Sequence, residues 1–96
     1  MRNDAVAVML NKYPLRLHKR NWIESDGKVA VVAPLGEMYW LNETGAFIWR
    51  LCDGTHSTKA IADVLAEKYN VEGDTAIKDV LEIILYLEKL GLVGLQ

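Results

Sequence analysis

Cys52 and His56 carry the side chains best suited to nucleophilic or metal chemistry, and they stand four positions apart. On one helix that spacing would put a thiol and an imidazole on a common face, as a nucleophile with its base or as two metal ligands. Asp53-Gly54 lies between them and breaks such a helix, because glycine readily leaves the right-handed region. No third ligand completes a zinc site, and nothing suggests an orienting group or an oxyanion site. Cys52 therefore reads as a small buried apolar residue. The carboxylates fall on helix surfaces, where solvation accounts for them. The expectation is a protein without catalytic residues, metal or cofactor.

The elements around that pair are organised by the run Tyr39-Trp40-Leu41-Asn42-Glu43-Thr44-Gly45-Ala46-Phe47-Ile48-Trp49-Arg50-Leu51-Cys52-Asp53-Gly54. Before it the chain reads as strands, and after it as helices. Asn42 is a helix N-cap, since its side-chain oxygen can accept from free first-turn amides. Phe47, Ile48 and Leu51 then repeat at helical spacing to about Cys52. Upstream, Leu17–Glu24 reads as a first strand, and Ser25-Asp26-Gly27 as a hairpin turn. Lys28–Ala33 is a second strand, Pro34-Leu35-Gly36 turns the chain, and Glu37–Leu41 is the third strand of a meander. That order leaves the third strand on an edge. Residues 1–16 show no clear period, and Pro14 interrupts any helix beginning at Ala5, so they read as an extended or mobile N-terminal arm.

Two more helices follow. Ser57 or Thr58 caps one over about Lys59–Tyr69, with Ile61, Val64 and Leu65 inward. Asp74 caps the other, over about Thr75–Leu90, and Gly91 ends it. Leu92 and Val93 form a short extended tail. Three strands and three helices in one domain, residues 17–96, predict an α+β fold of winged helix-turn-helix type.

Composition narrows the partners. The chain has 96 residues, 51% hydrophobic and 25% charged, which suits one soluble domain with a modest core. It has no membrane-length apolar run and no signal-like N-terminus, so a cytoplasmic location is expected. A single cysteine agrees with a reducing compartment. Residues 1–28 hold six Lys/Arg against three acids, and residues 29–96 hold five against ten. The third helix offers only Lys78 and Lys89 against Asp74, Asp79, Glu82 and Glu88, a poor recognition helix for nucleic acid. The basic cluster Arg16, His18, Lys19 and Arg20 reads as a solvated strand face.

The third helix is the most informative. Ala76, Ile77, Val80, Leu81, Ile83, Ile84, Leu87 and Leu90 cover an arc of roughly 180°, wider than one core-facing stripe of about 100° needs. The surplus implies a second apolar neighbour, either a peptide or another copy of the chain in a homodimer. An exposed edge strand beside an apolar helix is the geometry for β-augmentation.

Asn-Glu-Thr-Gly-Ala followed by Ile-Trp-x-Leu-Cys-Asp-Gly-Thr, a Ser/Thr-capped helix and an acidic-apolar helix ending Leu-Gly-Leu-Val resembles the PqqD family over residues 17 to 93. The Tyr-Trp-Leu-Asn run is similar to the stand-alone leader-binding proteins of lasso-peptide pathways. The resemblance implies a recognition element for the leader of a ribosomally made precursor, held between the third strand and third helix. The implied peptide-binding residues are Glu37, Met38, Tyr39, Trp40 and Leu41 on the strand. On the helix, position off the centre of the apolar arc selects Ile83 and Leu87, with Val80 and Ile84 shared with the core. Tyr39 and Trp40 fall on opposite strand faces, one for the core and one for the guest. The implied partners are the leader and a maturation enzyme, a leader-cleaving cysteine protease or a radical S-adenosylmethionine enzyme. A winged-helix DNA-binding regulator and a homodimerising structural module are the alternatives.

Overall fold

Asp26 and Gly27 both have positive φ, 53° and 77°, as a two-residue hairpin turn matched to strand twist requires. They join β2 (Trp22–Ser25) to β3 (Lys28–Val32), and β4 (Met38–Leu41) completes an antiparallel sheet of order β2-β3-β4. The computed structural model describes residues 4–17 and 21–96. Ahead of the sheet lie α1 (Asp4–Leu10) and β1 (Pro14–Arg16). After it come α2 (Glu43–Leu51), α3 (Thr58–Tyr69), α4 (Gly73–Lys89) and β5 (Val93–Leu95). The α+β class and the meander are as expected, with β4 and α4 as the third strand and third helix of the sequence reading. No helix among the described residues is long and apolar enough to cross a membrane.

The local signals work as their chemistry demands. The Asn42 side chain accepts from the Gly45 amide at 2.8 Å, and Ser57 accepts from Ala60 at 3.0 Å. Gly91, at φ +79°, lets the chain leave α4, and the Leu92 amide returns to the Leu87 carbonyl at 3.0 Å. Asp74 is not the cap of α4. The N-cap position is Glu72, without a side-chain cap bond, and Asp74 lies inside the first turn, where a negative charge suits the free amides.

The arm expected over residues 1–16 is, in its described part, a helix and a strand, and residues 1–3 lie outside the described residues. Asp4–Leu10 is a helix whose Leu10 is buried, and it ends before Pro14, which therefore interrupts nothing. Pro14–Arg16 pairs antiparallel with β5, Pro14 opposite Leu95 and Arg16 opposite Val93. The other side of this strand meets the loop after α2, through Arg16 N–H to Cys52 O at 2.9 Å and Gly54 N–H to Pro14 O at 2.9 Å. These partners are distant in sequence, so no local period announces them. The strand expected over Leu17–Glu24 is displaced to Trp22–Ser25, while the Leu17 amide donates to Leu92 O at 3.1 Å. Part of that expectation, residues 18–20, lies outside the described residues.

One apolar cluster joins all these layers. Val29 and Val31 from the sheet, Ile48 and Trp49 from α2, Ile61 and Leu65 from α3, and Val80, Ile84 and Leu87 from α4 are all buried in it. Leu92 and Val93 close it beneath α4.

Candidate peptide-binding site

Among the described residues β4 has a pairing partner on one side only. The Ala33 amide donates to Glu37 O at 2.8 Å, and antiparallel bonding then alternates along the ladder. Tyr39 and Leu41 therefore turn their N–H and C=O groups toward β3. Met38 and Trp40 turn theirs to the open edge. The side chains alternate the other way. Tyr39 and Leu41 pack against the core cluster, whereas Met38 and Trp40 are 55% and 62% exposed on the outer face. So Tyr39 is the inward aromatic and Trp40 the outward one.

Beside that edge lies α4, running opposite to β4. The Tyr39 and Tyr86 rings meet edge to face at one end, with centroids 6.3 Å apart. At the other end Asn42, Thr44, Asp79, Glu82 and Ile83 line a cleft of about 330 Å³. Asp79, Glu82, Ile83 and Tyr86 follow one another at helical spacing, so one stripe of α4 walls the whole groove. The Tyr39 hydroxyl donates to the Glu37 carboxylate at 2.9 Å, and that bond, ahead of any burial, raises the Tyr39 pKa.

This geometry corrects the helix residues named from sequence. Val80, Ile84 and Leu87 are fully buried at 0% exposure, so none of them can touch a guest. Ile83 alone of the four helix residues lies on the groove. Asn42, Thr44, Asp79 and Glu82, which line the cleft with it, and Tyr86, one turn further on, are not among the candidates read from sequence. Four of the five are polar or charged, and apolar periodicity does not register such positions. Tyr86 was legible as the aromatic one turn beyond Ile83. On the strand, Glu37 precedes β4 and serves as the partner of Tyr39, while Met38, Tyr39, Trp40 and Leu41 all lie along the edge.

Other sequence candidates take structural roles. The Cys52 Sγ faces the Ile48 carbonyl at 3.3 Å, and burial pushes its thiol up to about 12. His56 turns instead to Asp53, Nδ1 to Oδ1 at 3.1 Å. Asp53 is held down to about 2, chiefly by the Thr55 hydroxyl and then by the Thr55 amide. Among the described residues no group of three or more His, Cys, Asp or Glu is placed to hold a metal. Arg16 is no solvated patch residue. Its guanidinium donates to the Trp49 and Arg50 carbonyls at 2.8 and 3.0 Å, where a cation suits the C-terminal end of α2. It also lies over the Trp22 and Trp49 rings, at 5.5 and 5.9 Å. The rest of that basic cluster, residues 18–20, lies outside the described residues.

Known proteins share this architecture. The fold is similar to the solved structure of TbiB1 in complex with the TbiA(beta) leader peptide, with a TM-score of 0.70 and 22% identity, covering 76% of this chain and 86% of that one. The PqqA binding protein of Methylococcus capsulatus is 37% identical over 67 residues, 69% of this chain and 71% of that protein. The model of the family described as coenzyme PQQ synthesis protein D matches residues 6–93, which takes in β1 and most of α1 as well as the strands and helices read from sequence. The chain belongs to the PqqD family.

Proposed function

We propose that this chain binds the leader segment of a ribosomally made precursor peptide as an added strand on β4, between that edge and α4, and delivers it to a maturation enzyme. The observation that carries the reading is the open edge at Met38 and Trp40 immediately beside the groove walled by Asp79, Glu82, Ile83 and Tyr86. The guest backbone would bond to the free edge groups, and alternate guest side chains would enter the groove. β4 carries no proline, no charge and no bulge to keep other strands away. The names of two similar proteins support the same reading, one a PqqA binding protein and the other solved with a leader peptide. The enzyme served would be a leader-cleaving cysteine protease or a radical S-adenosylmethionine enzyme. Calorimetry with the leader of a short precursor encoded beside this chain tests the binding, and amide exchange locates it. Saturable heat with slowed exchange at Met38 and Trp40 is expected. No heat and unchanged exchange would refute the reading.

A further inference from the structure

We infer that a second cleft, on the outer face of β4 between Lys28, Trp40 and Asn42, receives an acidic side chain of the added strand, so that charge sets the guest's register. The inference rests on β4 being the leader's docking edge. A strand added there continues the pleat, and its side chains alternate between the groove and the outer face. Outward guest residues would lie about 4.5–5.5 Å from their direct neighbour on β4, or about 7–8 Å diagonally, within reach of an indole.

The outer face is furnished for such contact. Ile23, Ala30 and Trp40 form one cross-strand row, in which Ile23 and Trp40 stay 56% and 62% exposed. Lys28, Trp40, Leu41 and Asn42 line a cleft of about 470 Å³ at the end of the edge. Lys28 is exposed and has no ion-pair partner among the described residues. A guest Asp or Glu can lay its methylenes on the Trp40 ring and bring its carboxylate to the Lys28 ammonium. The same carboxylate turned inward would meet Asp79 and Glu82. Slipping a strand by one residue sends every side chain to the opposite face. The opposed charges of the two clefts therefore penalise the wrong register at the Asn42 end.

The test is selection of peptides from a displayed random library, long enough to span the edge, on the native chain, Lys28→Glu, Lys89→Glu and Trp40→Pro. Peptides enriched on the native chain should carry Asp or Glu at one fixed position, and Lys28→Glu should convert that preference to Lys or Arg. Binding of a native-selected peptide should weaken roughly fivefold in Lys28→Glu, the upper range for an exposed charge pair, with unchanged thermal unfolding. Lys89→Glu, the same charge change on an exposed site at the end of α4, should alter neither. Enrichment without an acidic preference, or equal effects of the two lysine reversals, would overturn the inference and leave the leader reading standing. No enrichment above the Trp40→Pro level would defeat both.

Discussion

Tyr39 on β4 and Tyr86 on α4 meet ring edge to ring face, with 86° between planes and 6.3 Å between centroids. The contact joins β4 to α4 at one end of the groove. It also orders the helix residues by depth. Tyr86 is 48% exposed, while its chain neighbour Leu87 is at 0%. That difference separates binding from folding in a mutational test. Ile83→Glu and Tyr86→Ala should fold and lose leader binding, since a carboxylate in the groove is desolvated without a partner and loss of the ring removes a wall. Leu87→Glu should fail to fold, and Leu87→Ala should cost about 2–5 kcal/mol in denaturant unfolding. A folded Leu87→Glu domain would contradict the assignment of that face to the core.

The β4 ladder makes adjacent proline substitutions unequal. Trp40→Pro removes an amide from the open edge, worth about 0.5–1.5 kcal/mol to a guest, and its ring obstructs the guest strand. The domain should remain folded and bind weakly. Tyr39→Pro removes an amide directed at β3 and should instead lower the unfolding midpoint. Circular dichroism melts with calorimetry distinguish the two outcomes, and the reverse ranking would mean the alternation has been assigned to the wrong residues.

Arg16 ties β1 to the end of α2 through two carbonyls and lies over the indoles of Trp22 on β2 and Trp49 on α2. Arg16→Met keeps much of the aliphatic stem but leaves both carbonyls without this donor. The expected loss is about 1–3 kcal/mol in urea unfolding, with leader affinity nearly unchanged because the site is remote from β4's edge. A large loss of affinity at full stability would place Arg16 in binding.

Cys52 predicts an alkaline limit. Its folded pKa, near 12, is above the ordinary value of 9.0, so the fold favours the protonated thiol. That contribution is complete below the ordinary pKa and declines as pH rises toward the folded one. Unfolding free energy should therefore fall more steeply above about pH 9 in the native chain than in Cys52→Ala. In the folded state the thiol should also react slowly with an alkylating reagent, and denaturant should release it. Parallel pH profiles for the two proteins would remove the thiol from the account.

Features set by near neighbours were legible in the residues alone. Asn42 and Ser57 cap their helices, Asp26-Gly27 closes its hairpin, and Gly91 ends α4, because each depends on groups a few positions away. The meander order and the exposed β4 edge follow from strands joined by short turns. The apolar arc of α4 was likewise legible, because it follows from helical spacing alone. Depth within that arc was not legible. Ile83, Ile84 and Leu87 are chemically alike, and only the placement of α2, α3 and β5 around α4 buries two of them and leaves Ile83 on the groove. The pairing of β1 with β5, and Arg16's seat on α2, likewise join parts of the chain too far apart for periodicity to register. Local geometry is encoded by adjacent residues, whereas solvent access at any one of them is a property of everything packed above it.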